Sequence, residues 1–161
     1  MCVLKREQEV ALAGAVRQLH QSGLSSQEII ERVRLILSEE SVALPLSIFG
    51  HKELGALEAI VVYLHDNCGL DYQRIGVLLN RNAIVVGNSY RAARRKFSGT
   101  LLAQSKVSVP LSLFKDRTVS VQRRLVRYLH DECGMNFSEI GRNISRDPRT
   151  VWTAYHAGDV A

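Results

Sequence analysis

The amino-acid sequence predicts an all-α protein in which a helical prefix precedes two tandem three-helix modules. The strongest observation is an internal repeat, because YLHDNCGL at residues 63–70 recurs as YLHDECGM at residues 128–135. At an offset of 65 residues, segments 44–92 and 109–157 share 17 identities in 49 positions. The second observation is that apolar residues recur at helical spacing within each copy. Two copies are too few for a solenoid, so tandem domains are predicted.

The composition excludes several classes of protein. Hydrophobic residues make up 46% and charged residues 23% of the 161 positions, which is ordinary for a globular protein. No apolar run approaches the roughly 20 residues of a membrane-spanning helix, and the charged start MCVLKREQEV lacks the core of a signal peptide. Three widely spaced cysteines do not form a disulfide framework. We therefore expect a cytoplasmic protein that does not associate with membranes.

The charge is uneven along the chain. The formal net charge is +5, and residues 1–43 contribute −1, residues 44–108 +4 and residues 109–161 +2. A basic excess is a mild indication of a polyanionic partner. Because the excess lies wholly in the repeated part, we expect such a partner to bind there.

Residues 1–43 are interpreted as a helical prefix used for packing or dimerisation. Gly23 is expected to end one helix, and Ser25 or Ser26 to cap the next. That next helix carries an apolar stripe at helical spacing, formed by Ile29, Ile30, Val33 and Leu37. Packing in the core is the favoured use of the stripe, and a homodimer face is the alternative.

The first module is assigned to residues 44–97 and the second to residues 109–161, with a linker at residues 98–108. Each module is expected to contain three helices separated by short turns. Leu101 and Leu102 lie within the linker, which predicts that it packs against the modules.

The first helix of each module is expected at residues 55–67 and 120–132. Gly69 and Gly134 are expected to end it, because glycine readily takes the left-handed conformation that terminates helices. In the second copy, apolar residues at helical spacing form its buried face: Val121, Leu125, Val126 and Leu129.

The second and third helices are predicted from their capping residues. Asp71 and Asn136 are good caps for the start of the second helix, and Asn82 and Asp147 for the start of the third. Pro148 is then the first helical residue, where its missing N–H does no harm.

The repeated YLHD-x-CG motif permits three interpretations. His65, Cys68, His130 and Cys133 have residue types that bind zinc, and a Cys–His pair can be a nucleophile with its base. The motif also fits the end of a helix in which the cysteine is a small buried apolar residue. We favour the helix end, and predict no metal ligand, no catalytic residue, no cofactor and no enzymatic activity.

The segment NFSEIGRNISRDPRTVWTAYHAG at residues 136–158 resembles the DNA-reading last domain of bacterial sigma factors. It is also similar to the related helix-turn-helix domains of response regulators and transposases. The shared pattern is a cap, an aromatic residue, Glu-Ile-small, a polar turn and a Thr-Val pair near the start of the last helix. Sigma factors also carry a promoter-melting domain that this chain is too short to hold, so a sigma factor itself is not expected.

The resemblance implies that the third helix of the second module enters the major groove of DNA. The helical periodicity indicates the same helix. If Val151 and Tyr155 face the core, the polar side chains of this helix lie on its opposite, outward face. Arginine can contact guanine or phosphate, and threonine a phosphate or a thymine methyl group. For Trp152, packing against the other module or a subunit is an equal alternative. The candidate DNA-binding residues are Arg146, Arg149, Thr150, Trp152, Thr153 and His156.

The third helix of the first module departs from this pattern. It starts with apolar Ile84 and Val85, which face either thymine methyl groups or a protein partner. Its later part is polar and basic, and either contacts phosphates or is simply solvated. The candidate backbone-binding residues are Asn88, Arg91, Arg94, Arg95 and Lys96.

The sequence thus predicts a transcription regulator that binds double-stranded DNA in a sequence-specific manner. The second module reads bases, and the first positions the protein on the backbone or on a partner. The alternative is an adaptor whose modules bind RNA polymerase, a sigma factor or a second copy of the chain.

Overall fold

The computed structural model describes residues 6–30 and 42–158, and these are mostly helical, as the sequence predicts. The chain divides into two compact units, Met1–Ser41 and Val42–Ala161. The boundary between these units follows residue 41, two residues before the predicted end of the prefix at residue 43. Within the described ranges, no helix has the length and apolar character that crossing a membrane requires.

The first unit begins with helix α1, Arg6–Gln21. Gly23 has φ +87°, so the helix ends in the left-handed conformation, as expected. Ser25 starts the next helical segment, since its hydroxyl accepts from the Glu28 amide and its own amide donates to the Glu28 carboxylate. Residues 26–30 are helical.

The apolar stripe of the prefix is present only in part. Ile29 is buried, whereas Ile30 is 53% exposed, so the stripe does not bury all its members. Val33 and Leu37 lie outside the described residues.

Both repeats in the second unit have the same order of elements. The first repeat contains β1 (Ala43–Pro45), a 3₁₀ helix (Leu46–Gly50), α2 (Ala56–Val62), α3 (Tyr72–Leu79) and α4 (Ala83–Lys96). The second contains β2 (Ser108–Pro110), a 3₁₀ helix (Leu111–Phe114), α5 (Val121–Arg127), α6 (Phe137–Asn143) and α7 (Pro148–His156).

The predicted caps are confirmed. The Asp71 side chain accepts from the Arg74 amide, and Asn136 forms a capping box with Glu139. Asn82 and Asp147 cap α4 and α7 in the same way. Each cap depends on residues two or three positions apart, which is why the sequence alone predicts it.

The first helix of each repeat ends where the sequence predicts, at residues 67 and 132, but its last turn has a geometry that was not predicted. Tyr63–Asn67 and Tyr128–Glu132 continue them as π-helical turns before Gly69 and Gly134 reverse the chain with φ of +69° and +68°. A π turn is wider than an α turn by one residue. The repeated motif is therefore a π-helical helix end, with the predicted glycine stop.

The two short strands were not predicted, and they join the repeats. β1 and β2 pair antiparallel, with Leu44 opposite Val109, Ala43 opposite Pro110 and Pro45 opposite Ser108. Leu44 and Val109 are equivalent positions at the offset of 65. The same offset relates Ala43 to Ser108 and Pro45 to Pro110, so it converts one flanking pair into the other. A pseudo-two-fold axis therefore passes between Leu44 and Val109, both of which are fully buried.

Further contacts obey the same symmetry. The Leu46 amide donates to the Val107 carbonyl, and the Leu111 amide to the Val42 carbonyl, both at 3.0 Å. The rings of the equivalent residues Phe49 and Phe114 lie 6.3 Å apart. In addition, α2 contacts α5, and the 3₁₀ helix of each repeat packs on α3 or α6 of the other.

The two repeats consequently share one hydrophobic core. The sequence predicts two modules separated by a linker at residues 98–108, whereas the structure joins them in one compact unit. Leu101 of that segment is buried, as predicted, but Leu102 is 70% exposed. Burying equivalent apolar faces against each other explains the joint core, because a three-helix module of this size has little interior of its own.

The turns that precede α4 and α7 are closed by close backbone approaches. A Cβ atom added to Gly76 would lie 2.5 Å from the Arg81 carbonyl oxygen, and one added to Gly141 would lie 2.6 Å from that of Arg146. These are backbone atoms, so a clash cannot be relieved by a side-chain rotation.

We expect Gly141→Ala to lower the free energy of unfolding by about 1–3 kcal/mol, the usual effect of overpacking. Gly76→Ala should do the same, and chemical denaturation measures both. Gly14→Ala in α1 is the control, because no described atom lies within 4 Å of its added Cβ and alanine is the better helix former. Equal effects at Gly14 and Gly141 would contradict the close approach.

Candidate nucleic-acid interface

Local structure orients α7 relative to α6. The left-handed conformation of Ser145, with φ +51°, reverses the chain after α6. The Asp147 side chain then accepts from the Arg149 amide at 2.8 Å, and Pro148 is the first helical residue. The two helices are thus held by a turn of few residues, and α7 begins in a defined direction.

The outward face of α7 carries most of the predicted DNA-binding residues. Val151 is fully buried and anchors the helix, while Arg149, Thr150 and Thr153 are exposed. The side chains of Arg149 and Thr150 make no hydrogen bond to the described part of the chain, and the Thr153 hydroxyl donates only to the Arg149 carbonyl, at 2.9 Å. These side chains are free to contact a ligand.

The rings of Trp152 and His156 form a tilted pair at the end of this face. Trp152 is 52% exposed, and its ring centroid lies 4.3 Å from that of His156. The His156 Nδ1 atom is 3.0 Å from the Trp152 carbonyl oxygen, so Nδ1 donates there. His156 is half-buried, and its remaining nitrogen, Nε2, is the one left for a ligand.

Residues at the start of α5 complete this surface. A shallow depression is lined by Ser120 and Gln122 together with Asp147, Arg149 and Thr150. Sequence reasoning missed Ser120 and Gln122, because they precede α7 by more than 25 positions and only packing brings them to it. The one sequence signal was their place at the start of the predicted first helix.

Arg146 lies apart from the other candidates. Its guanidinium donates to the carbonyl oxygens of Lys52 and Leu54, each at 2.9 Å, and to that of Ser145. Residue 146 thus ties the turn of the second repeat to the first repeat. These contacts use the side chain within the protein.

The start of α4 exposes an apolar patch. Ile84 is 70% exposed, and Val85 and Val77 of the neighbouring helix α3 are also exposed. The sequence singled out Ile84 and Val85, whereas Val77 is added by the packing of α3 against α4. Asn88 and Arg91 follow on the same face of α4 at helical spacing, and the Arg91 guanidinium donates to the Asn88 side chain.

The basic end of α4 is largely paired within the chain. Arg94 forms an ion pair with Asp66 and donates to the Gly99 carbonyl at 2.8 Å. Lys96 Nζ lies 2.7 Å from the Glu58 carboxylate. Partial burial raises the pKa of the Glu58 carboxyl group. Hydrogen bonds from Lys96 and from the Gly55 amide outweigh this effect, so the pKa of Glu58 lies below its ordinary value. Of the predicted run, Arg91 and Arg95 are the exposed arginines.

The repeated motif has the same internal role in both copies. His65 Nδ1 lies 2.7 Å from the Leu70 carbonyl, and His130 Nδ1 lies 2.8 Å from that of Met135. A carbonyl only accepts, so each Nδ1 carries a proton and donates. The next residue, Asp66, accepts from the Tyr90 hydroxyl at 2.8 Å, and Asp131 accepts equivalently from Tyr155. The motif thereby ties the first helix of each repeat to its last.

The cysteines of the motif were predicted to be buried, and this prediction is wrong. Cys68 is exposed, whereas Cys133 is half-buried and packs against the core. Each thiol lies beside a tyrosine of the same turn; burial, with the Cys68 thiol as second cause, raises the pKa of Tyr63. Within the described ranges, no three His, Cys, Asp or Glu side chains are placed to hold a metal ion.

We expect Cys68→Ala and Cys133→Ala each to lower the free energy of unfolding by at most about 2 kcal/mol, as small truncations do. The exposed Cys68 should have the smaller effect. His65→Ala should cost more than either, because it leaves the Leu70 carbonyl unpaired and removes the ring contacts to Tyr72 and Tyr90. Thermal unfolding measures all three. Stoichiometric zinc in protein purified without chelators would contradict this interpretation.

Comparisons of the chain with protein-family models, curated proteins and solved structures found no match.

Proposed function

We propose that each repeat is a helix-turn-helix unit and that the protein is a transcription regulator that binds double-stranded DNA through α7. The observation that supports this most is the outward face of α7. Arg149, Thr150 and Thr153 point away from the core beside a buried Val151, and the side chains of the first two make no hydrogen bond within the described ranges. Such side chains on the second helix of a helix-turn-helix read base edges in the major groove.

The pseudo-two-fold arrangement supports the same proposal. Helix-turn-helix proteins commonly bind as dimers, in which the protein two-fold matches two half-sites on the duplex. Here the two units are joined in one chain about an axis between Leu44 and Val109. A single chain can therefore present two related units, and because their third helices differ in sequence, the bound site is expected to be asymmetric.

The two units have unequal roles in this proposal. The first turn of α7 carries Arg149 and Thr150, which suit base recognition. The first turn of α4 carries Ile84 and Val85, and the only base feature that these suit is the thymine methyl group. Arg91 and Arg95 further along α4 are exposed and suit phosphate contacts. We propose that the second repeat reads sequence and the first adds backbone affinity.

A second candidate function rests on the apolar patch of the first repeat. Val77, Ile84 and Val85 are exposed together, and such patches often bind proteins. An adaptor that binds RNA polymerase or another protein through this patch would tolerate loss of Arg149 and would not tolerate a charged residue at position 84.

Selection of bound duplexes from a random pool tests the proposal. We expect enrichment of one short asymmetric motif, with an affinity that falls as salt is raised because phosphate contacts release counterions. Recovery of unselected sequences with no salt-dependent binding would remove DNA as the partner and favour the adaptor.

A further inference from the structure

The pseudo-symmetry of the two repeats breaks at one pair of arginines. Arg81 and Arg146 are equivalent at the offset of 65 and occupy the same turn. Arg146 donates to two carbonyls of the other repeat. The Arg81 guanidinium has no hydrogen-bond partner among the described residues, and its Nε atom is nevertheless shielded from solvent.

Where Arg146 has carbonyl partners, Arg81 has a second cation, Arg117, in the same depression. Arg117 comes from the other repeat and is the equivalent of Lys52. Partial burial lowers the pKa of Arg81, and the charge of Arg117 lowers it further, as expected for two close cations. An arginine remains charged under all ordinary conditions, so this repulsion is not relieved by loss of a proton.

The two arginines line one open depression between α3, α4 and the segment after the second 3₁₀ helix. Besides the two arginines, the lining contains the amide side chains of Gln73, Asn80 and Asn82 and no carboxylate. Buried or half-buried cations are normally paired, and the described residues supply no counterion here. The missing partner is therefore expected to be an anion from outside the chain.

We propose that Arg81 and Arg117 form a binding site for a phosphate group. Two guanidinium groups present planar forks of N–H donors that match phosphate oxygens, and the neighbouring amide side chains add uncharged donors. Resting on the proposed function, the phosphate belongs to the backbone of the bound duplex, so this pair, with one arginine from each repeat, positions the protein on the duplex. A partner peptide with acidic side chains is the competing occupant, and the measurements below distinguish it from a phosphate group.

Two measurements test the site, and the first does not require DNA. Inorganic phosphate is titrated into labelled protein while the Arg81 Nε–Hε resonance is followed by NMR. We expect a saturable shift that Arg117→Gln abolishes. The matched control is Lys52→Gln, which removes the same charge at the symmetry-related position, where the described contacts use only the backbone carbonyl.

The second measurement is the affinity for a random-sequence duplex as a function of salt. Each lost phosphate contact lowers the salt slope by about 0.9, so Arg81→Gln with Arg117→Gln should flatten it by about two units and leave base preference unchanged. Lys52→Gln should change the salt slope less than the arginine substitutions do. If Arg81→Gln impairs folding, the exposed Arg117→Gln alone should flatten the slope by about one unit.

The outcomes separate this site from the proposed function. A resonance that responds to neither phosphate nor duplex overturns the site, even if α7 still selects a DNA motif. A resonance that responds only to an acidic peptide overturns it as well, in favour of a protein partner. A response to phosphate in a protein that binds no duplex supports the site and rejects the proposed function.

Discussion

Phe114→Ala is expected to lower the free energy of unfolding by about 3–5 kcal/mol, because it removes a large, fully buried ring at the pseudo-two-fold axis. The ring packs against Phe49 of the other repeat, so the cavity opens in the joint core. We expect both repeats to unfold together at a lower denaturant concentration, with one transition as in the parent protein.

Two probes in one denaturation series measure this. Trp152 is the only tryptophan and reports on the second repeat, while hydrogen exchange of the α2 and α4 amides reports on the first. Leu102→Ala is the control, because its side chain is exposed and its loss should change stability by less than about 0.5 kcal/mol. Two separate transitions, with the first repeat unaffected, would show that the repeats are independent domains.

Arg149→Ala is expected to weaken binding to the selected DNA motif by about 1–3 kcal/mol and to relax the preference at one base position. The reason is that an arginine fork bonds two acceptors of a guanine edge, and no other exposed residue of α7 offers that geometry. Folding should be unaffected, since the side chain is exposed and unbonded within the described ranges. Fluorescence anisotropy with the motif and with a shuffled duplex measures both affinity and preference.

Arg149→Lys is the matched variant, because it keeps the charge and removes the planar fork. We expect it to retain affinity for the shuffled duplex while losing most of the preference for the motif. Full preference in Arg149→Ala, together with altered preference in an Ile84 variant, would assign base reading to α4 instead.

Features that depend on neighbouring residues were predictable from the sequence. The caps at Asp71, Asn136, Asn82 and Asp147 involve a side chain and an amide two or three positions away, so their residue types suffice. The exposure of Arg149, Thr150 and Thr153 likewise follows from placing Val151 in the core, because helical geometry sets the rest of the face.

Features that depend on distant residues were not predictable. Arg94 looked like part of a free basic run, but Asp66, 28 positions earlier, neutralises it. Arg146 looked like a DNA contact, yet the carbonyls that hold its guanidinium lie more than 90 positions away. Partners at such separations leave no local pattern in the sequence. The sequence therefore does not distinguish a charged side chain that is paired from one that is free.

The sequence by itself determined that the chain contains a duplicated three-helix repeat, where most helices begin and end, and which residues of α7 face outward. These depend on local propensity, capping and helical periodicity. Only the tertiary structure decided that the repeats share one core through the β1–β2 pair, that Cys68 lies at the surface and that Arg81 and Arg117 line one depression. Those depend on how two nearly equivalent surfaces pack about an axis, and the small differences between the repeats have no physical consequence until that packing brings them together.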